Sequence, residues 1–321
     1  MIALDGHGAD GGVDVVVRGG ELSGLPVRVF GPPLTAIAND EEPARAARSR
    51  TDASIVAAAR AVGVGEADAL VSAGPTGATL AAAVLHIKRM RGVHRPAVAA
   101  VVPIPGGRPT LLLDAGANVE VRPEHLVQFA YMGAQFMEAV HGVVRPRVAL
   151  LSNGEEAKKG TEDVVAAYAR LAEDSSGLNF VGNVEGTEVT RGAADVIVTD
   201  GFTGNVALKL MEGTASTVTA AIRDAIKSSP LSAVGGLLIR GRVAKLREQI
   251  DPNATGGAIL LGVRRPVVIA HGKSSAEGIA NAVRLAQRAV DEQMVEKTAA
   301  RLESAGVLRS APAASVAQPD D

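Results

Sequence analysis

The sequence predicts a three-layer α/β/α sandwich with a mostly parallel sheet and a helical insertion. Three observations predict this fold. The chain has 321 residues, of which 47% are hydrophobic and 21% charged, as is typical of a globular protein with a large core. Short apolar runs end in glycine or a polar turn, which is typical of strands buried on both faces. Helix-like segments separate these runs, which favours parallel pairing.

The predicted strands follow one another along the whole chain. After the opening IALD, strands are expected within PVRVFG (26–31), ADALVSAG (67–74), PTLLLDAGAN (109–118), PRVALLSNGEE (146–156), LNFVGNVEG (178–186), ADVIVTDGFTGN (194–205) and PVVIAHGKS (266–274). The patterns DASIVAAARAVGVG and HLVQFAYMGAQFMEAV predict helices between them. We expect one domain over residues 1–308, with the insertion at about 215–250. The Ala/Pro/Ser-rich segment 309–321 is expected to be a disordered tail.

Composition and charge exclude several classes of function. The chain has no cysteine, which excludes disulfides, thiolate metal sites and an acyl-cysteine intermediate. A formal net charge of −2 gives no global indication of nucleic-acid binding. No apolar run approaches the roughly 18 residues that span a bilayer. The chain enters its first strand without a charged leader, so no signal peptide is expected, and a cytoplasmic location fits.

Polar residues cluster where the predicted strands end. In open α/β sheets, ligands bind at the carboxyl ends of the strands. We therefore expect one crevice to gather seven residues, which are Asp5, Asp114, Asn118, Asn183, Asp200, Asn205 and His271.

Two glycine motifs resemble nucleotide-binding fingerprints but fail closer tests. Gly6, Gly8 and Gly11 spell G-x-G-x-x-G after the first strand. Asp10 lies inside that loop, where it would repel a pyrophosphate, and the second strand ends in Gly-Pro-Pro without the required acidic residue. The segment HGKSS resembles the end of a P-loop but lacks the earlier glycine of that motif. Neither segment predicts a nucleotide site.

Three other loops are candidates for binding an anion. VSAGPTGATLAAA (71–83) runs from a strand into an Ala-rich helix, where free backbone N–H groups suit a phosphate and Ser72 and Thr76 add hydroxyls. An ordinary strand-to-helix turn remains the alternative, since Pro75 supplies no N–H. VTDGFTGNVALKLMEG (198–213) has the same form, with Lys209 one helical turn after Asn205. SNGEEAKKG (152–160) is charged, which by composition alone favours a solvated surface.

Histidine offers two further candidates. Among the six histidines, only His271 directly follows a strand of the buried type, and His7 lies in the first loop. No G-x-S-x-G elbow is present, so a serine hydrolase is not expected. No set of His, Asp and Glu has evident metal-ligand spacing, although a pair of strand-end aspartates could hold a divalent ion.

Taken together, these strings resemble the bacterial phosphate acyltransferases of phospholipid synthesis (PlsX type). The resemblance runs in order over nearly the whole chain, through IALDGHGAD, EPARAARSRTDAS, ALVSAGPTGA, LDAGANV, LVQFAYMG, ALLSNGEEAKKG, FVGNVEG, VTDGFTGNVALKLMEG and GGAILLGVRRPVVIAHG. The chain departs from the family's D-x-M-G-G-D opening at His7 and Ala9, and from its S-A-G-N-T-G loop at Pro75. The segment between Asp10 and Val27 also looks shortened.

The resemblance implies a Rossmann-like homodimer that transfers a fatty acyl group from acyl carrier protein to inorganic phosphate. It implies contact with the membrane surface and no organic cofactor, and we expect no metal-binding residues. Phosphate is itself a nucleophile, so the protein's tasks would be to hold it, orient the thioester and stabilise the oxyanion. The expected phosphate- and substrate-binding residues are Asp5, Asp10, Ser72, Gly74, Thr76, Gly77, Asp114, Asn118, Gly201, Thr203 and Gly204. The expected catalytic residues are Lys159, Asp200, Asn205, Lys209 and His271, with the three cations unranked as partners of the oxyanion or the leaving thiol.

The insertion SSPLSAVGGLLIRGRVAKLREQI (228–250) places Leu237, Leu238 and Ile239 beside a series of basic residues, which are Arg240, Arg242, Lys245 and Arg247. This pattern suits a membrane interface or an acidic carrier protein, or else a pair of helices at a dimer interface. Carrier protein would dock on this insertion or on the basic run 88–95.

Three alternative functions remain open. One is a phosphotransacetylase-like enzyme that uses acyl-CoA, the second is an inactive membrane-associated scaffold, and the third is a dehydrogenase with a similar sheet.

Overall fold

The computed structural model describes residues 1–38, 40–230, 232, 235, 237–242 and 255–309. Most of the predicted tail, and the part of the insertion that contains Lys245 and Arg247, lie outside these residues. The domain limits of 1–308 therefore stay a prediction, whereas the α/β class is confirmed.

Within the described residues, ten strands join in one sheet. They are β1 (Ile2–Asp5), β2 (Val27–Phe30), β3 (Ala69–Ser72), β4 (Ala97–Val102), β5 (Thr110–Leu113), β6 (Val148–Leu151), β7 (Phe180–Val184), β8 (Val196–Val198), β9 (Ala258–Leu261) and β10 (Val267–Ile269). Their order across the sheet is β2-β1-β3-β10-β9-β4-β5-β8-β6-β7.

The sheet reverses direction in its middle. The pairings β10–β9, β9–β4 and β4–β5 are antiparallel, and the remaining pairings on either side are parallel. As a result β5, β6, β7 and β8 run opposite to β1, β2, β3 and β10. The carboxyl ends of these two sets therefore lie at opposite edges of the sheet, where an edge is the line along which strands begin or end. The prediction that one crevice gathers all seven strand-end residues is wrong within one chain.

The described helices cover both faces of the sheet. They are α1 (Val13–Ser23), α2 (Pro43–Ser49), α3 (Ser54–Gly63), α4 (Thr76–Ala82), α5 (Pro123–His141), α6 (Glu162–Ala172), α7 (Gly201–Lys227), α8 (Ala276–Asp291) and α9 (Met294–Ser304). Helices α1, α5, α6, α8 and α9 pack on one face, and α2, α3 and α4 pack on the other. These layers form the predicted sandwich, and α3 and α5 confirm the two quoted helix predictions.

The core consists almost entirely of aliphatic side chains, and α5 carries much of its aromatic content. Phe129, Tyr131 and Phe136 are each at most 2% exposed, in a chain that has only five Phe, two Tyr and no Trp. A helix that is apolar on nearly all sides belongs in the centre of a protein. Burying each such side chain contributes roughly 1.5–3 kcal/mol, so α5 fixes one layer against the sheet.

Helix α7 differs from the other long helices because little of it is buried. It has 27 residues, of which only Gly201 and Gly204 are fully buried. At 1.5 Å per residue it is roughly 40 Å long, and it begins well before the predicted insertion. Exposed apolar side chains recur along it, namely Phe202, Val206, Leu210, Val218 and Ile222. No helix among the described residues is long and apolar enough to cross a membrane.

Candidate active site

Asp5 ends β1 and is held inside the protein by two serines. The Ser54 hydroxyl donates to Oδ1 at 2.5 Å, and the Ser72 hydroxyl donates to Oδ2 at 2.7 Å. Burial raises the pKa of the Asp5 carboxyl, while the hydrogen bonds from the two serines oppose that shift. Asp5 is 3% exposed, so its role is to connect β1, α3 and the end of β3 from within.

The loop after β3 is shaped by this network. The Ser72 hydroxyl accepts a hydrogen bond from the Gly74 N–H at 3.0 Å and one from Thr79 Oγ1 at 3.2 Å. Gly8 lies so close that an added Cβ would stand 2.4 Å from the Gly74 nitrogen. Thr76 begins α4 and is exposed, as is Gly77. The loop therefore has a rigid buried base and an open rim.

The first loop and the loop after β10 complete this group. The Asp10 N–H donates to the Gly272 carbonyl at 2.8 Å, which joins these two loops directly. His271 is exposed, and its Nδ1 accepts from the Lys273 N–H at 3.1 Å. His7 is half-buried, and its Nε2 is buried with no hydrogen-bond partner among the described residues. We call the candidate residues of these three loops the Asp5 cluster, which comprises Asp5, Asp10, Ser72, Gly74, Thr76, Gly77 and His271.

Asp114 follows β5 at the opposite edge, and its carboxylate is fully occupied within the chain. Oδ1 accepts from the N–H groups of Val98, Gly116 and Ala117 at 2.9–3.0 Å. Oδ2 accepts from the Asn118 N–H at 2.8 Å and from its side-chain amide at 2.7 Å. Burial raises the pKa of Asp114, and the backbone and Asn118 hydrogen bonds act against that shift. Asp114 therefore folds the loop and has no free oxygen for a ligand.

This loop supports the start of α7. The Gly201 N–H donates to the Asn118 carbonyl at 2.7 Å. A Cβ on Gly204 would stand 1.9 Å from the Asp114 carbonyl oxygen, so only glycine allows the helix to pack there. Asp200 caps the helix by accepting from the Thr203 N–H at 2.8 Å. Asp114, Asn118, Asp200, Gly201, Thr203, Gly204 and Asn205 form a second group, which we call the α7 cluster.

Two further polar features adjoin the α7 cluster. Lys159 lies in the loop after β6, which neighbours β8 in the sheet, and it is exposed. The Asn183 side-chain amide fixes that loop by donating to the Glu156 carbonyl at 2.9 Å. Lys209 lies on the exposed side of α7, 2.8 Å from Glu212. Among the described residues, no group of three His, Asp or Glu side chains could hold a metal ion.

The structure adds Ser54 and Thr79 to the residues named from sequence. Both are buried, and their hydroxyls donate hydrogen bonds to Asp5 and Ser72 of the Asp5 cluster. A serine or threonine in the first turn of a helix is usually a local cap or turn residue. The sequence therefore carried no signal that these two side chains contact Asp5 and Ser72.

The fold is shared with α/β proteins whose solved structures include phosphotransacylases. The chain resembles a phosphotransacetylase from Staphylococcus aureus with a TM-score of 0.54 and 19% identity, over 90% of this chain and 93% of that one. It also resembles a branched-chain phosphotransacylase from Enterococcus faecalis with a TM-score of 0.55 and 17% identity, over 90% of this chain and 99% of that one. At such identities the likeness shows the fold alone.

The chain belongs to the family described as fatty acid synthesis protein, whose model matches residues 34–297. Curated relatives named phosphate acyltransferase include one from Heliobacterium modesticaldum, 48% identical over 81% of this chain and 76% of the relative. Another, from Geobacillus sp., is 41% identical over 92% of this chain and 96% of the relative. The resemblance seen in the sequence is confirmed, and the protein is an acyltransferase.

The two aspartates of the α7 cluster should respond differently to loss of charge. In Asp114→Asn, an amide NH₂ replaces one oxygen among five N–H donors, so the free energy of unfolding should fall by about 3 kcal/mol. In Asp200→Asn the side chain still caps α7, and the free energy of unfolding should change by no more than about 0.5 kcal/mol. Urea unfolding of both variants measures the difference. Equal stability of the two would contradict the structural role of Asp114.

Proposed function

We propose that the protein transfers a fatty acyl group from acyl carrier protein to inorganic phosphate, yielding acyl phosphate for glycerophospholipid synthesis. Kinship to phosphate acyltransferases over most of the chain is the observation that carries this proposal. The open rim of the Ser72–Gly77 loop, with exposed Thr76 and Gly77 at a helix start, offers a place for the phosphate.

The proposed reaction needs no covalent intermediate on the protein. A phosphate oxygen attacks the thioester carbonyl carbon, and a C–O bond forms. The C–S bond then breaks, the sulfur leaves with the electron pair, and the proton lost by the hydrogen phosphate converts the thiolate to the thiol. The protein's tasks are to hold the phosphate, to orient the thioester and to stabilise the negative charge on the carbonyl oxygen.

The proposed roles follow from exposure and hydrogen bonding. Buried Asp5 positions the Ser72 loop, and Asp114 with Asn118 positions the start of α7. The exposed residues of the two clusters and the loop after β6 are then free to contact the phosphate and the thioester. Thr76 and Gly77 hold phosphate, and Thr203 and Asn205 contact the substrate. Lys159 is assigned to the carbonyl oxygen, with Lys209 and His271 as the remaining candidates. Lys209 is the weaker one, because Glu212 already pairs with it.

We further propose that the enzyme is a homodimer with shared active sites. The exposed apolar stripe of α7 is the kind of surface that another protein chain covers. Six strand spacings separate β3, which carries Ser72, from β6, which precedes Lys159. At about 4.8 Å per spacing this is roughly 29 Å, too far for both to act on one phosphate. A second copy supplies the missing half, so that Lys159 of one subunit stabilises the carbonyl oxygen of a thioester attacked by phosphate bound to the other.

Replacement of Lys159 tests the proposed reaction. Lys159→Ala should lower turnover about 100-fold through loss of an oxyanion partner, with an unchanged melting temperature because the side chain is exposed. The matched control is Lys158→Ala, its exposed neighbour, which should retain normal turnover. Acyl phosphate is measured as its hydroxamate, with acyl carrier protein or CoA as donor.

Three outcomes of that experiment would overturn parts of the proposal. Normal turnover of Lys159→Ala would remove the assignment of Lys159. A preference for acyl-CoA would make the protein a phosphotransacetylase-like enzyme. No turnover with either donor would favour the scaffold alternative.

We also propose that the enzyme is cytoplasmic and peripheral to the membrane, and that it touches the membrane through the end of α7 and the described residues 237–242. Leu237, Leu238 and Ile239 are 68%, 82% and 44% exposed and stand beside Arg240 and Arg242, a combination suited to an anionic lipid surface. Leu238→Glu should reduce co-sedimentation with anionic vesicles several-fold, whereas Val64→Glu, at another exposed apolar position, should not. Equal sedimentation of wild type and Leu238→Glu would contradict the membrane contact.

A further inference from the structure

Two neighbouring cavities open beside the turn between β4 and β5. The larger, of about 470 Å³, is lined by Arg284 and Arg288 of α8 and by His141. The smaller, of about 200 Å³, is lined by Arg108, Arg147 and Arg191. Ile104 and Gly107 of the turn line both cavities, so the two form one continuous surface. We call it the hairpin face.

The hairpin face is strongly basic, although the chain as a whole has a net charge of −2. Its lining residues include five arginines and one acid, Asp195, an excess of four positive charges. Asp195 is already engaged, because Arg147 binds it with N–O distances of 3.1 and 3.2 Å. Burial lowers the pKa of His141, so this residue adds no charge at neutral pH.

Some of these arginines are held in place and others are free to bind. Arg147 also donates to the carbonyls of Gly192 and Ala193, and Arg284 donates to Glu277 and to the Leu22 carbonyl. Arg108, Arg191 and Arg288 are exposed and have no ion pair within the described parts of the chain. These three arginines are therefore available to an acidic partner. Their guanidinium groups can bind its carboxylates in a bidentate manner.

The hairpin face lies at the same edge of the sheet as the Asp5 cluster. Strand β4 runs in the same direction as β10, with only β9 between them, so the two strands lie roughly 10 Å apart and the β4–β5 turn extends past the end of β10 at the same edge. The basic run 88–95 precedes β4 and therefore lies at the opposite edge. Of the basic surfaces considered from sequence, that run is thus poorly placed to deliver a donor to the Ser72 loop.

We propose that the hairpin face docks the acidic surface of the carrier protein that presents the acyl thioester. The proposal rests on the proposed function and adds the place of docking. Five arginines spread over two cavities match an extended surface of carboxylates better than a single small anion. A docked carrier can then extend its acyl-bearing arm along the edge of the sheet towards the Asp5 cluster.

Charge reversal tests the proposal. The variant Arg108→Glu/Arg191→Glu/Arg288→Glu should raise KM for acyl carrier protein at least about tenfold, with little change in kcat. KM for phosphate, and KM for acyl-CoA as a donor without a carrier, should stay unchanged. The matched control is Arg91→Glu/Arg95→Glu/Arg265→Glu, which makes the same change in net charge at exposed positions near the opposite edge. Its KM for acyl carrier protein should remain within about twofold of wild type.

The outcomes separate docking from the function on which it rests. An unchanged KM in the hairpin-face variant, or an equal rise in the control, would overturn the docking site while leaving the reaction intact. Loss of binding to anionic vesicles with an unchanged KM would instead make the face a membrane contact. Failure of the wild type to use acyl carrier protein, with good turnover of acyl-CoA, would overturn the choice of donor and the docking site together. Melting temperatures of both variants confirm folding.

Discussion

The architecture depends on the reversal of strand direction at β9 and β4. With these two strands in the middle, the sheet has two parallel halves that run in opposite directions. The loops at the carboxyl ends of each half form a separate group, the Asp5 cluster on one edge and the α7 cluster on the other. Each half also leaves a different surface open, since the basic hairpin face adjoins the first cluster and the apolar stripe of α7 starts from the second.

Buried carboxylates organise both groups from within. Asp5 accepts hydrogen bonds from two serines, and Asp114 accepts five N–H groups. A buried carboxyl group is costly unless its oxygens are hydrogen-bonded, and in both aspartates they are. Asp114 has no oxygen left for a substrate, and Asp5 is 3% exposed. Asp5 and Asp114 thus fix loops, and we propose that the exposed polar residues beside them take part in the chemistry.

Much of the fold was predictable, because most strands end in glycine or a polar turn and α3 and α5 have clear apolar patterns. Strands β4 and β9 were missed. The first, AVAAVV, lies between two prolines and has no glycine or polar turn at its end. The second, AILL, ends in Gly262 as the predicted strands do, but no helix-like segment separates it from β10. Strand direction depends on pairing between residues far apart in sequence, and no local pattern encodes it. The candidate site residues were named one by one from the sequence and stay a prediction, whereas the contacts of Ser54 and Thr79, and the division into two clusters, required the fold.

The central claim is that each active site combines the Asp5 cluster of one subunit with Lys159 of the other. Thr76→Asp places a negative charge at an exposed position and should abolish turnover by repelling phosphate from the Asp5 cluster. Lys159→Ala should remove the group that the other subunit contributes to that site. The direct measurement is acyl phosphate formation by the two inactive variants after mixing and subunit exchange. Half of the dimers are then mixed, each with one intact site, so activity should return to about one quarter of wild type. A mixture as inactive as the separate variants would contradict the shared site.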